Sequence, residues 1–238
     1  MSKSIFIQIP AYNEEKNIPY VLNEIPAVLE GFDMVKVLVI NDGSTDKTLD
    51  TVRQGGVTHI LDFHKNRGLG AAFRSGLAYG LAQGADVIVN TDGDHQYSSS
   101  QITKIVEPIL SGKADVVIGD RQLGKIIDYP RHKLIAQSLG NVLLSVLFAA
   151  PVKDATSGFR AFSREAAEFL RDTLVNEYTY TIESLCVLLR NKMRVLFVPI
   201  DIRYPTRSSR LIKSRRRYIH NFVVTALKIR MKIRHQHA

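Results

Sequence analysis

The chain has 238 residues, a net charge of +9 and 45% hydrophobic residues, the composition of a globular protein with a core and not of a disordered or fibrous one. One cysteine, Cys186, excludes an internal disulfide and favours a reducing compartment; between Leu185 and Val187 it reads as a core residue. The charge is uneven: residues 203–238 hold eleven Arg and Lys and no Asp or Glu, and subtracting those from +9 leaves residues 1–202 at −2. A neutral bulk with a basic tail points to a phosphate-rich partner, nucleic acid or anionic membrane.

Ser4–Ile9 predicts a first strand, too short an apolar run for a signal peptide before Pro10 and the Asn13-Glu14-Glu15 cluster. Asn17 is a candidate cap for a helix with Pro19 in its first turn and Ile18, Val21, Leu22 and Ile25 inward. Val35–Ile40 is a second strand, and Asp46 can cap the helix carrying Leu49 and Val52. Val57–Leu61 is a third strand, followed by a helix through Ala72, Phe73, Gly76 and Leu77. Ala85–Val89 is a fourth, Ile102–Leu110 carries the cleanest helical stripe, and Asp115–Ile118 is a fifth strand.

Further on, Leu134–Val152 is uncharged but not uniformly apolar. Gln137, Asn141 and Ser145 recur on one helical face, with Leu139, Val142, Leu143, Val146 and Leu147 opposite. An amphipathic helix packed on the core is the expectation, a membrane surface the other placement, and no stretch reads as a transmembrane helix. Arg160 and Glu183 are expected to form a buried pair supporting the site. In the tail, Tyr218, Ile219, Phe222, Val223, Ala226 and Leu227 have helical spacing with basic residues at the borders, which suits an interfacial helix. From Lys228 to Arg234 basic and apolar residues alternate, which argues against helix there.

Strands alternating with helices predict an α/β fold: a mainly parallel twisted sheet with helices on both faces, as one domain over residues 1–205 and a basic extension over 206–238. In such sheets ligands bind beyond the carboxyl ends of the strands. The loops found there are all polar: Pro10–Glu15, Asn41–Asp46, His64–Gly68, Thr91–Gln96 and Gly119–Arg121. The first has no glycine and there is no P-loop, so phosphates need another partner. Asp92 and Asp94 can hold a hard divalent cation that bridges phosphates, although Asp and Gly are also ordinary turn residues. The acidic sheet edge and the absence of any nucleic-acid module argue against nucleic acid as the partner.

Four motifs in this order, Pro10-Ala-Tyr-Asn-Glu-Glu, Asn41-Asp-Gly-Ser-Thr-Asp, Asp92-Gly-Asp94-x-Gln96 and Ser157-Gly-Phe-Arg-Ala-Phe, resemble the family-two glycosyltransferases with the A-type, Rossmann-like fold. Asp154-x-x-Ser-Gly-Phe-Arg and Thr206-Arg-Ser-Ser-Arg-Leu211 narrow the resemblance to the branch that loads a sugar onto a polyprenyl phosphate, that of dolichol-phosphate mannosyltransferase. The resemblance implies a GDP- or UDP-sugar donor, a polyprenyl phosphate acceptor and inversion at the sugar; members of the branch often end in transmembrane helices, and here the basic tail is expected to hold the protein peripherally on the cytoplasmic face of a membrane. It implies that Pro10, Ala11, Tyr12, Glu14, Asn41, Asp42 and Asp92 bind the nucleotide. Asp92, Asp94 and Gln96 would hold Mg²⁺ or Mn²⁺. Asp94, Arg121 and Arg131 would be the catalytic set, the two arginines gripping the acceptor phosphate. Asn41 departs from the family's usual Asp, and Ala136 stands where some relatives carry Ser. A sugar or protein hydroxyl acceptor is the alternative, and would need a general base from Asp94 or Glu183.

Overall fold

The computed structural model describes residues 2–174, 180–204 and 215–231. Strand β1 (Ser4–Ala11) is buried along its whole length, as a central parallel strand must be when helices cover both faces. It is followed by α1 (Ile18–Glu24), β2 (Met34–Asn41), α2 (Thr48–Gln54), β3 (His59–Asp62), α3 (Leu69–Ala82) and β4 (Val87–Asn90). Then come α4 (Ile102–Leu110), β5 (Val116–Asp120), α5 (Arg131–Phe148), β6 (Arg160–Ser163) and α6 (Arg164–Thr173). Helix α7 (Tyr180–Arg190), β7 (Val195–Pro199) and α8 (Arg215–Met231) complete the described chain.

The seven strands form one sheet in the order β3-β2-β1-β4-β6-β5-β7. Every pairing is parallel except those of β6, which runs antiparallel between β4 and β5. One core lies between the sheet and α1, α2 and α4; the other collects Phe6, Phe73, Leu144, Phe162, Ile182 and Phe222 under α3 and α5–α8. Cys186 is fully buried in the second, as its apolar neighbours require. The C-terminal ends of β1, β2 and β4 therefore open on one edge, where the ionisable loops gather.

The five anticipated strands form with ends shifted by one or two residues; β6 and β7 were not anticipated. The short β6 begins with a fully buried Arg160, which masks its strand character. Helix α8 runs on through Lys228–Met231, against the alternation in its sequence, because it packs on α5 and α7 and tertiary contact overrides local pattern. Asn17 precedes α1 without capping it, since its amide donates to Glu14 Oε2 (2.9 Å) instead.

Helix α5 reverses an expectation. Its amide and hydroxyl face points inward: Gln137 Nε2 donates to Asp154 Oδ1 (2.8 Å), Asn141 Oδ1 accepts from the Ala155 N–H (3.1 Å), and Ser145 Oγ accepts from the Val152 N–H (3.0 Å). Leu143 and Leu147 are partly buried against the core, but Leu139, Val142 and Val146 are exposed. The cause is the segment 152–156 beneath the helix. It lies outside any strand, and its backbone groups and Asp154 need partners that only a polar face supplies.

Candidate active site

The site grows from the loops after β1, β2 and β4. Asp42 donates its N–H to the Ala11 carbonyl (2.9 Å), carrying the β1–β2 ladder one step past the strands. Asn13 Oδ1 accepts from the Thr45 N–H (2.8 Å), and the Glu14 N–H donates to Thr48 Oγ1 (2.7 Å). These bonds stitch the first two loops together. Gly43 takes a φ of +69°, and a Cβ there would strike the Lys65–Asn66 backbone, so only glycine lets the third loop pass so close.

The two β2-end residues organise loops with their side chains. Asn41 is buried, its Nδ2 donating to Asp62 Oδ1 (2.7 Å) and its Oδ1 accepting from the Ser44 N–H (3.2 Å). The Asp42 carboxylate accepts from Asn66 Nδ2 (3.1 Å) and from the N–H groups of Arg67 (2.7 Å) and Gly68 (3.0 Å). Both thus shape the floor and the 66–68 loop, at the end of β2 where the sequence placed the base. Pro10 and Ala11 end β1, Glu14 is buried, and Tyr12 is partly exposed at the rim.

The loop after β4 lies directly on the first. A Cβ on Gly93 would sit 3.2 Å from the Pro10 carbonyl oxygen and 3.5 Å from the Ala11 and Glu14 side chains. Asp92 and Asp94 flank this contact. Asp94 Oδ1 accepts from the Gln96 N–H (3.1 Å), so Gln96 reaches the pair through its backbone. No described group donates a hydrogen bond to the Asp92 carboxylate. Burial, then repulsion from Asp94, pushes Asp92 up to about 7, and burial raises Asp94 as well. Two carboxylates with open lone pairs, each disfavoured as an anion, form an oxygen site that a hard divalent cation relieves. Among the described residues no third acidic, His or Cys ligand joins them. A cation there would draw its remaining ligands from water and a bound diphosphate, as Mg²⁺ commonly does.

Strand β6 builds the wall behind Asp92. Asn90 Nδ2 donates to the Gly158 carbonyl (2.8 Å) and the Gly158 N–H to the Tyr97 hydroxyl (3.2 Å), with Tyr97 stacked on Phe159. Arg160 is fully buried and donates to the carbonyls of Ala155 (2.8 Å), Ser157 (2.7 Å) and Thr181 (3.0 Å) and to Ser184 Oγ (3.0 Å). The pairing with Glu183 expected from the sequence is not among these bonds. The bare carbonyls of an irregular segment capture a guanidinium's donors, while burial first, and the nearby charge of Arg121 after it, work against its protonated form.

Arg121 sits where β5 ends, and its fork is closed on Asp154: Nε to Oδ2 at 2.7 Å, Nη2 to Oδ1 at 2.8 Å, with Nη2 also donating to Thr156 Oγ1 at 2.7 Å. Its charge nevertheless reaches Asp92 and Asp94. Arg131 is not brought into this cluster by any hydrogen bond or ion pair among the described residues; it is exposed at the first turn of α5. Tyr129, two residues earlier, feels the charge of Arg121, as does Tyr218 of α8.

Sequence reasoning missed the clamp on the metal-type loop. Arg203 donates its N–H to the Gln96 carbonyl (2.9 Å), Nη1 to the carbonyls of His95 (3.2 Å) and Tyr97 (3.0 Å), and Nη2 to Glu24 (2.7 Å). His95, at a left-handed φ of 61°, bonds the same Glu24 carboxylate at 2.8 Å and stacks on Tyr20. These partners lie 71 to 179 residues apart, beyond any local motif. The Thr206–Leu211 motif lies outside the described residues.

A family model described as glycosyl transferase family 2 matches residues 6–171, and the chain belongs to that family. It is 29% identical over 226 residues to the UDP-N-acetylglucosamine–dolichyl-phosphate N-acetylglucosaminyltransferase of Methanococcus voltae, covering 85% of this chain and 86% of that one. It is 28% identical over 201 residues to the polyprenol monophosphomannose synthase of Mycolicibacterium smegmatis, covering 81% and 74%. Among solved structures, glucosyl-3-phosphoglycerate synthase from Mycobacterium tuberculosis, in complex with Mn²⁺, UDP and phosphoglyceric acid, superposes with a TM-score of 0.73. The sequences are 21% identical, and the match covers 98% of this chain and 80% of that one, which establishes a shared fold. No helix of the described residues is long and apolar enough to cross a membrane.

Proposed function

We propose that this glycosyltransferase moves a sugar from a GDP- or UDP-sugar to a polyprenyl phosphate, with Mg²⁺ or Mn²⁺, while associated peripherally with a membrane. The observation that carries it is the Asp92–Asp94 pair with open lone pairs at the end of β4, lying on the Pro10–Glu14 loop and without a glycine cradle. The acceptor class is supported by the two lipid-phosphate sugar transferases to which the chain is similar.

Asp92 and Asp94 would hold the cation, which would supply positive charge to offset that of the departing diphosphate. Pro10, Ala11, Tyr12 and Glu14 surround the nucleoside, on a floor shaped by Asn41 and Asp42. An acceptor phosphate oxygen, already anionic, attacks the anomeric carbon as the carbon–oxygen bond to the diphosphate breaks. The products are a sugar phosphodiester, inverted at that carbon, and the nucleoside diphosphate. No proton has to leave the nucleophile, so the protein's work is alignment and charge. Arg121, braced by Asp154, supplies a fixed positive charge, and Arg131 is free to reach the acceptor. Between α5 and the turn at Leu123–Lys125 lies a groove of about 480 Å³ whose lining includes Asp120 at its β5 end and Leu123, Lys125, Leu134, Gln137 and Lys153. Cations beside apolar side chains suit an amphiphilic phosphate.

The test is transfer of label from a panel of nucleotide sugars into a solvent-extractable polyprenyl phosphate. Label in the organic phase, lost in Asp92→Ala and Asp94→Ala proteins that remain folded, is the result expected. Nucleotide sugar consumed with no organic label would move the acceptor to a hydroxyl.

A further inference from the structure

We propose that Asn41 and Asp62 together read the base of the donor and select guanine, so that the sugar comes from a GDP-sugar. The inference rests on the nucleotide-sugar reading above and names the base which that reading leaves open.

The sheet sets the reach. In the order β3-β2-β1-β4, the Asp92–Asp94 loop follows β4 and the Pro10–Glu14 loop follows β1, while Asn41 and Asp62 end β2 and β3 as register partners. Strands about 4.8 Å apart put β3 about 14 Å from β4. A diphosphate held at β4, with its ribose over β1, therefore carries the far edge of its base towards the ends of β2 and β3.

Two acids stand there. Asp42 is spent on structure, accepting from Asn66 Nδ2 and from the Arg67 and Gly68 N–H groups. Asp62 is exposed, and among the described residues only its Oδ1 accepts a side-chain hydrogen bond, from Asn41 Nδ2 at 2.7 Å. The Asn41 amide is oriented by its two bonds, because Oδ1 accepts from the Ser44 N–H and only Nδ2 can donate to a carboxylate. One Nδ2 hydrogen goes to Asp62, and the other has no acceptor among the described residues.

The pair thus offers an N–H beside two carboxylate oxygens: donor, acceptor, acceptor. The hydrogen-bonding edge of guanine is the complement, with the 6-carbonyl accepting and the ring N–H and 2-amino group donating. Uracil presents one N–H between two carbonyls, and a carbonyl would then face a carboxylate oxygen, acceptor against acceptor. A site built to hydrogen-bond rejects such a base far more strongly than a site that only measures size. The same chemistry gives a reason for amide at position 41. An Asp there has no N–H for the 6-carbonyl and would repel Asp62.

The experiment is calorimetric titration of the full chain, in Mn²⁺, with four nucleotides. They are GDP, UDP, inosine diphosphate, which lacks the amino group, and xanthosine diphosphate, which has a carbonyl in its place. Wild type is expected to bind GDP about a hundredfold more tightly than UDP and about tenfold more tightly than inosine diphosphate. Asp62→Asn keeps an acceptor for the Asn41 amide and puts an N–H where guanine also has one. With unchanged thermal unfolding, it should bind GDP about tenfold or more weakly and prefer xanthosine diphosphate, a reversal that a merely structural role for Asp62 does not produce. UDP bound as tightly as GDP by wild type overturns the proposal, as does GDP affinity untouched in Asp62→Asn. Guanine selection through Asp62 with no sugar reaching a polyprenyl phosphate would keep the base assignment and discard the lipid-acceptor function. Polyprenyl transfer from a UDP-sugar in preference to a GDP-sugar would do the reverse.

Discussion

The backbone of Gly158 lies against the carboxylate of Asp92, so closely that a Cβ on Gly158 would sit 2.7 and 2.8 Å from its two oxygens. Gly158 is itself fastened on both sides, by Asn90 and Tyr97, and cannot retreat. Alanine there should therefore displace the carboxylate while leaving the fold intact. Gly158→Ala is predicted to lower Mn²⁺ affinity about tenfold or more, equivalent to about 1.4 kcal/mol. Titration followed by the Mn²⁺ resonance signal would check it, and wild-type affinity would mean that Asp92 is not a ligand.

The raised pKa of Asp92 gives a pH dependence of defined sign. Its folded value of about 7 exceeds the ordinary 3.8, so the folded state binds the proton more tightly than the unfolded state. Stability of the metal-free protein should then fall as pH rises from about 4 to about 7, where ionising the buried carboxyl burdens only the folded state. Asp92→Asn removes most of that fall and raises the Tm measured at pH 7.5 in chelator, while abolishing transfer. A wild-type Tm that climbs over this interval, with the variant parallel to it, would contradict the assignment of cause.

Asp154 holds a guanidinium that is largely removed from solvent. Asp154→Ala strands that charge, for which the expected loss is about 3–5 kcal/mol by urea unfolding. Arg121→Lys keeps a cation but not the two-pronged geometry, and should cost less stability than Asp154→Ala. A loss below about 1 kcal/mol in Asp154→Ala would show that water replaces the carboxylate.

Arg203 tests whether the Asp92–Gln96 loop needs its clamp. Arg203→Ala removes the side-chain bonds to His95, Tyr97 and Glu24, which are partly exposed, and is expected to weaken nucleoside diphosphate binding by about 1–2 kcal/mol in the presence of Mn²⁺. Calorimetric titration reads this directly. An unchanged affinity would mean that the Asp94–Gln96 turn holds itself.

Much of this molecule was legible in its sequence. Continuous apolar runs such as Val35–Ile40 announce buried parallel strands, and the polar loops after them point to one edge because topology leaves no other arrangement. Pattern reading failed where partners are distant. The antiparallel β6 is four residues long, and its Arg160 is buried by carbonyls of a segment with no pattern of its own. The Glu24–His95–Arg203 clamp joins three unrelated stretches. Helix α5 was legible as amphipathic but not in its orientation, since polarity says which residues share a face and only the packed segment 152–156 says which face turns inward.

The most direct test of the central claim is binding of UDP and GDP to wild type and to Asp94→Ala, each with Mn²⁺ and with chelator. If a cation between Asp92 and Asp94 holds the diphosphate, chelator should weaken wild-type binding of the preferred nucleotide about tenfold or more, while the variant binds weakly whether or not the metal is present. Nucleotide affinity that ignores chelator in wild type, or survives intact in Asp94→Ala, would contradict it.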